Sequence, residues 1–396
     1  MENTTAVAAV ILRKKEEYRV LAGHPWVFSN EIAAVEGSPA AGDVVALRSS
    51  TGAPLGVGFY HPHSLIAVRR LASGAHLIDR AFFADRIARA AALRRMLVPD
   101  GGACRLVHGE ADFLPGLVVD RYGPTLALQT LSFGMDARQG LIVDVLQELL
   151  QPATIVERNE SPLRLLESLP QRAGVLSGSP GEVEIVEHGV RYRVDPLLGQ
   201  KTGLFLDQRE NRRVVRAYCP GARVLDCFCN DGGFALNAAA AGASSVLGID
   251  ISPEAVAHAR ANAELNGLAA TFQEGDVFDR LRTLRDEGGP YDVIVLDPPS
   301  FTRNRKSVPV ARKGYRQLHA LAFPLLAPGG VLLTASCSHH ITAETFLDDV
   351  RKSAARAGKA LQLLEWHGAA PDHPVLPGVP ETEYLKCGLF RAFPAD

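Results

Sequence analysis

The stretch Val224-Leu225-Asp226-Cys227-Phe228-Cys229-Asn230-Asp231-Gly232-Gly233-Phe234 ends an apolar run in an acidic residue. It then sets paired glycines, Gly232 and Gly233, before a helix-forming run. Glycines at such a turn let a ligand reach the backbone with no Cβ in the way. About 20 residues on, SVLGID ends in Asp250, where a carboxylate can accept both hydroxyls of a ribose. Ile251 and Ser252 follow it, and ATFQEGD brings a third carboxylate, Asp276, with Val277 after it. Two cofactors suit a ribose-binding carboxylate, a dinucleotide and S-adenosylmethionine. A dinucleotide needs a helix N-terminus for its pyrophosphate, normally with G-x-G-x-x-G, and that hexamer is absent. Asp226 and Asp231 would repel a pyrophosphate but suit a sulfonium and an amino group. The ordered set therefore favours S-adenosylmethionine over NAD, with Asp226, Phe228, Gly232, Gly233, Asp250, Ile251, Ser252, Asp276, Val277 and, further along, Asp297 as cofactor neighbours. Taken singly, Asp226 or Asp250 reads equally well as a polar strand end.

Further along, YDVIVLD runs into Asp297-Pro298-Pro299-Ser300-Phe301. Two prolines end a ladder and stiffen the loop. A carboxylate followed by Pro-Pro and an aromatic can grip a planar base, the carboxylate on a ring N–H or amine and the aromatic by stacking. The next strand ends Ala335-Ser336-Cys337-Ser338-His339-His340, so Cys337 comes to the same sheet edge as Asp297. A thiolate there can attack C6 of a pyrimidine and make C5 nucleophilic; methylation of an amino group needs no such step. The competing reading of Cys337 is a small buried thiol, and His339 and His340 read more simply as solvated strand-end residues. After Phe301 the segment carries Arg303, Arg305, Lys306, Arg312, Lys313 and Arg316 and no acid. We expect a phosphate-gripping, mobile loop, with a solvated basic loop as the alternative. With Pro298, Pro299 and Phe301, these residues make the candidate nucleic-acid contacts.

Those residues need elements to hold them. From about residue 205 strands alternate with helices, which predicts an open, mainly parallel sheet that binds ligands at its carboxyl edge. SPEAVAHARANAELNG predicts a helix with Ser252 as N-cap, Pro253 at its first position and Gly267 as stop. GVLLTAS, LQLLEWHG and YLKCGLFRAF add later strands. Residues 1–77 read as short strands, a small all-β barrel with helical spacing only around Tyr18–Leu21. Residues 78–200 read as an α+β module, and EVEIVEHGVRYRVD as a hairpin turning at His188-Gly189.

Composition sets the bounds. The 396 residues are 47% apolar and 22% charged with a formal net charge of −2, enough for two or three packed domains. A uniformly basic nucleic-acid coat is excluded, a local basic patch is not. No apolar run reaches a membrane span, and TTAVAAVIL has its charges in the wrong order for a secretory signal. Six cysteines in this length are no disulfide scaffold, which points to the cytoplasm. Cys227 and Cys229 lack a matching pair, Cys104, Cys219 and Cys387 show no pattern, and His61 with His63 lacks further ligands, so we expect no metal. His108 with Glu110 and Asp112 reads as a polar turn.

Over nearly its whole length the chain resembles the bacterial large-subunit (23S) rRNA cytosine-5 methyltransferases. HPWVFSNEI at 24–32 is similar to the opening of that family's PUA domain, and GEADFLPGLVVDRYG at 109–123 to its central module. GQKTGLFLDQREN at 199–211 resembles the segment leading into the methyltransferase domain, and DPPSF and SCSHH match the catalytic motifs. The resemblance implies a PUA-like barrel (1–77), a central α+β module (78–200) and a Rossmann-like class I methyltransferase sheet (201–396). It implies Asp297 and Cys337 as the active pair and Phe205, Asp207, Gln208 and Arg209 as further cofactor neighbours. It also implies 23S rRNA or a large-subunit assembly intermediate as partner, with a homodimer left open. The family's loop reads F-S-Y-T-G-G-F, so Asp231 puts a charge where the family has a hydroxyl. The resulting expectation is 5-methylcytosine formation through a covalent Cys337–C6 bond. The alternatives are N2-guanine methylation without one, and an RNA-binding module whose methyltransferase fold is inactive.

Overall fold

The computed structural model describes residues 8–98, 102–199, 202–287, 289–302 and 304–395. They form two compact units. One holds the described residues of Met1–Ile185, Val194–Leu206 and Pro371–Thr382; the other holds Val186–Arg193, Asp207–Ala370 and Glu383–Asp396. No helix among the described residues is long and apolar enough to cross a membrane.

In the first unit, strands Ala9–Leu12, Trp26–Phe28, Ile32–Glu36, Val44–Arg48, Pro54–Tyr60 and Ile66–Ala72 make a mainly antiparallel six-stranded sheet. Its alternating apolar residues Val10, Leu12, Val27, Val45, Leu47 and Val68 are buried, as the period of two requires. The one helical spacing read there is the helix Glu17–Leu21. A five-stranded sheet follows, from Ala103–His108 to Arg172–Ser177, with helices Arg80–Leu97 and Gln139–Leu150. Phe59 and Leu71 of the first sheet pack with Phe83, Ile87, Leu106 and Val107 of this module. The expected break between residues 77 and 78 is therefore not a break in packing. The excursion Pro371–Thr382 was not foreseen, because the signal for it is tertiary: Asp372 is buried and accepts from the Arg105 N–H at 2.8 Å, while Arg94 donates to its carbonyl at 2.7 Å. The hairpin Val183–Glu187/Val190–Val194, whose Val186–Arg193 part is assigned to the second unit, turns at His188 (φ 49°) and Gly189 (φ 82°), both left-handed as a tight two-residue turn demands.

Among the described residues the large sheet of the second unit has seven strands: β1 (Arg223–Cys227), β2 (Ser245–Asp250), β3 (Thr271–Glu274), β4 (Tyr291–Leu296), β5 (Leu326–Ser336), β6 (Lys359–His367) and β7 (Lys386–Pro394). Their order is β3-β2-β1-β4-β5-β7-β6. The first five are parallel; β7 runs antiparallel to both β5 and β6. The order reverses between β2 and β4, with β1 as the switch point, and ligands bind beyond the carboxyl ends there. Among the described residues the α-helices of this unit are α1 (Arg209–Val215), α2 (Gly233–Ala240), α3 (Pro253–Asn266), α4 (Val277–Glu287), α5 (Val308–Ala322) and α6 (Ala343–Arg356). Val293, Ile294, Val295 and Leu296 are all buried, the unbroken apolar run of a strand covered on both faces. One core cluster joins Leu225, Ile249 and Leu296 to Val277, Leu281, Leu318 and Phe346 of the helices. Each such side chain contributes about 1.5–3 kcal/mol by leaving water. The Ser252 hydroxyl caps α3 by accepting from the Ala255 N–H at 3.1 Å, Pro253 opens the helix, and Gly267 closes it at φ 62°.

Candidate active site

The loop after β1 is bent by its partners. The N–H groups of Phe228 and Cys229 both donate to the Ile249 carbonyl, at 2.8 and 3.0 Å. Phe228 and Asn230 adopt left-handed backbones, φ 65° and 46°, uncommon for side-chain-bearing residues. The Asp250 carboxylate fixes this bend: one oxygen accepts from the Asn230 N–H at 2.9 Å, the other from the Ser252 N–H at 3.0 Å. Ile251 beside it is 66% exposed, an apolar surface next to a carboxylate. Asp226 is fully buried at the end of β1. One of its oxygens accepts from the Ala235 N–H in the first turn of α2 at 2.9 Å, and the other is buried with no hydrogen-bond partner. Burial, reinforced by Asp297 and Asp250, pushes its carboxyl well above the ordinary range; the Ala235 N–H and Arg212 oppose this.

Gly232 and Gly233 serve a purpose the sequence did not show. A Cβ on Gly232 would lie 3.1 Å from Phe272 and 3.2 Å from Ala259, and Gly232 is left-handed (φ 82°). A Cβ on Gly233 would lie 2.6 Å from the Arg212 side chain. Both glycines thus make room for protein. Arg212 itself, missed from sequence, is buried and forks onto Glu187 at 2.7 and 2.6 Å. Asp231 is raised to about 6, chiefly by burial, while His258 at 3.5 Å draws it down. Asp276 is exposed and accepts from the Asp279 N–H at 3.1 Å, so it caps α4; Val277 is buried in the core beneath. Asp207 accepts from the Tyr384 hydroxyl at 2.7 Å, Gln208 accepts from Asn211 at 2.6 Å, and Arg209 pairs with Glu210 at 3.2 Å. Phe205 belongs to the other compact unit.

Asp297 and Cys337 stand just past the carboxyl ends of β4 and β5, which are neighbouring parallel strands with Leu296 opposite Thr334. Asp297 is half-buried and its N–H reaches back to the Cys227 carbonyl at 3.4 Å; Pro298 is buried and Pro299 exposed. Cys337 is half-buried, whereas Cys104, Cys219, Cys227, Cys229 and Cys387 are buried. Cys337 is the one cysteine of the six that is not buried. Ser338 ties the two loops: its hydroxyl is 3.1 Å from that of Ser300 and 3.1 Å from that of Tyr315 on α5. Burial holds the Tyr315 phenol up at about 12, so it remains neutral. His339 lies beside the Tyr384 ring at 5.3 Å, and His340 is exposed.

Three expectations for the segment after Asp297 need correction. Phe301 was expected to offer a stacking face, but its ring packs against Tyr315 (4.7 Å between centroids) and Phe278 (6.4 Å), which anchors the loop. The basic run was expected to be a mobile loop. It is helical from Val308, with Asn304 accepting from the Ser307 N–H at 3.1 Å ahead of it and Pro309 in the first turn. Arg312 was expected on phosphate. It forks instead onto Asp349 of α6 at 2.8 and 2.9 Å, and Arg316 lies 3.6 Å from the same buried carboxylate. Arg305, Lys306 and Lys313 are exposed; Arg303 lies outside the described residues. Among the described residues no group of three or more His, Cys, Asp or Glu side chains suits a metal ion.

Residues 167–391 match the S-adenosylmethionine-dependent methyltransferase family, and residues 10–73 match the PUA-like domain. A Tolumonas auensis protein named "Ribosomal RNA large subunit methyltransferase I" is 40% identical over 392 residues, covering 97% of this chain and 99% of its own. Its Shigella boydii namesake is 40% identical over 385 residues, covering 95% and 97%. Among solved structures, a methyltransferase complexed with SAH superposes with a TM-score of 0.85 at 21% identity, over 97% of this chain and 99% of its own. An S-adenosylmethionine-dependent methyltransferase structure from Streptococcus mutans gives 0.83 at 20%, over the same shares. At these identities the structures show the fold.

Proposed function

The chain belongs to the S-adenosylmethionine-dependent methyltransferases, alongside the ribosomal RNA large subunit methyltransferases I, and on that premise we propose that it forms 5-methylcytosine in 23S rRNA. The residues present fit the cofactor. The buried, unpartnered oxygen of Asp226 suits an ammonium group, Asp250 suits a ribose, and Ile251 gives a flat base an apolar surface. Asp207, Gln208 and Arg209, where α1 begins, are its further neighbours. S-adenosylmethionine, when bound, supplies an electrophilic methyl group on a sulfonium.

The observation that carries the reading is Cys337, the accessible cysteine, next to Asp297 on neighbouring strand tips. The target cytosine leaves its stack and enters between them. Asp297, as the carboxylic acid, gives its proton to N3 and accepts from the exocyclic amine, so the ring accepts electrons as the Cys337 sulfur bonds to C6; the proton returns to Asp297 when that bond breaks. The displaced C5–C6 π pair then resides at C5, which takes the methyl. Loss of the C5 proton returns that pair, the C5–C6 double bond re-forms, and the C6–S bond breaks to release Cys337. Arg305, Lys306 and Lys313, all exposed, track RNA phosphates.

The test is Cys337→Ala expressed in cells lacking the protein, with nucleoside mass analysis of 23S rRNA. We expect the 5-methylcytosine to disappear while SAH binding persists. Unimpaired 5-methylcytosine in that variant, or N2-methylguanine as the product of the parent chain, would overturn the proposal.

A further inference from the structure

Lys386 opens β7, and the sheet register sets it opposite Ser336 of β5. Its Nζ donates to the Ser338 carbonyl at 2.7 Å and to the Tyr384 carbonyl at 2.7 Å. Cys337 lies between the residue that faces Lys386 across the sheet and the residue whose carbonyl receives its amine. The amine therefore bonds one residue from Cys337, and a charge on that cysteine acts on it. Lys386 is buried. Both of its acceptors are uncharged carbonyls, and among the described residues it forms no ion pair with a carboxylate. A buried cation without a counter-ion is costly. A thiolate at Cys337 would be that counter-ion.

We infer that Lys386 is a positioning residue for Cys337: its amine takes the thiol proton and, as ammonium, holds the sulfur in the attacking, ionised form. The S–H bond breaks and the proton passes to Nζ, leaving a thiolate beside an ammonium with no change in total charge. The inference rests on the proposed nucleophilic role of Cys337. Burial lowers Lys386 to about 8, against the attraction of Cys337 and Glu383, so a neutral amine is populated near neutral pH and can accept that proton. The other groups around the pair set the direction. Asp297 stands on the neighbouring strand tip. Tyr315 from α5 stays neutral, and His339 lies against Tyr384 in the turn that carries Glu383.

The test uses the full chain and reads alkylation of Cys337 by iodoacetamide against pH, with the modified peptide identified by mass. The other five cysteines are buried, which makes the reagent selective. Lys386→Gln keeps N–H donors for the two carbonyls but removes the charge. Its alkylation midpoint should rise by about one to two pH units, with the rate at pH 7 falling roughly 10- to 100-fold. The pH profile of kcat should move with it, and SAH affinity should not. Lys386→Arg keeps the charge and should keep the midpoint within about half a unit. A midpoint unmoved in Lys386→Gln overturns the inference. So does a Lys386→Arg midpoint raised by a unit or more, which decides the matter alone if the Gln variant fails to fold. The Cys337→Ala result stands apart: a methylating Cys337→Ala enzyme ends the nucleophile reading, whereas an unmoved Lys386→Gln profile ends only this inference.

Discussion

Replacing Asp226 by Asn should separate binding of the cofactor's amino group from the rest of the fold. In the free chain one Asp226 oxygen is held by the Ala235 N–H and the other is buried and unpartnered. The substituted asparagine can keep the first bond through its own oxygen but cannot offer a charge to an ammonium. A charge-assisted hydrogen bond contributes about 1.5–3 kcal/mol, so SAH should bind roughly 10- to 150-fold more weakly. The pH dependence gives a sharper readout. Because burial raises Asp226 well above its ordinary range, the carboxyl is protonated in the free chain over part of the pH scale. An arriving ammonium favours the ionised form and expels that proton. Affinity should therefore tighten as pH rises toward the free-chain pKa, by up to about tenfold per unit, and level off above it. Calorimetry of SAH binding in buffers of different ionisation heat counts the released proton. The Asn variant should release none from this position and show a flatter profile. A variant that binds SAH within twofold of the parent, with the same proton release, would refute the assignment of Asp226.

Three more outcomes follow from the geometry. Arg312→Ala leaves the buried Asp349 carboxylate without its bidentate partner and should destabilise the chain by about 2 kcal/mol in urea, allowing for the partial exposure of Arg312. Arg305→Ala with Lys306→Ala should leave stability alone, weaken RNA binding, and lower the salt slope by about one for each phosphate no longer gripped. His319 is buried and bonded to Thr334 at 2.9 Å, and burial lowers it to about 4. Its contribution to stability is complete above the unfolded value of about 6.5 and is lost as pH falls from there toward 4, by up to about 3 kcal/mol. Denaturant titrations of the parent and His319→Gln at pH 7 and 4.5 should show that acid loss reduced in the variant.

The sequence disclosed the strand tips because chain punctuation marks them. Asp226 and Asp250 end apolar runs, Asp297 precedes two prolines, and Cys337 follows a strand with small polar neighbours. What it concealed depends on partners far along the chain. Lys386 looks like any strand-edge lysine until β7 is inserted between β5 and β6 and its amine arrives at Ser338. Arg312 read as one charge in a basic loop; the Asn304, Ser307 and Pro309 start signals were present, but only the packed α6 reveals Asp349 as its mate. The glycine pair was visible as a motif while its reason, the crowding by Phe272 and Arg212, was not. Arg212 and Glu187 are 25 residues apart and meet only once the hairpin folds back.

Asp250 ends with two duties that cannot be altered independently. The carboxylate that suits a ribose also restrains the left-handed bend at Asn230 and the start of α3. Directed evolution toward a nucleotide donor with a modified sugar would ordinarily begin at such a position. Here every neutral or shortened side chain would slacken the scaffold while it changed the preference, so most library members would be lost to collapse of the turn. Ile251, adjacent and outward-facing, is the freer place to diversify.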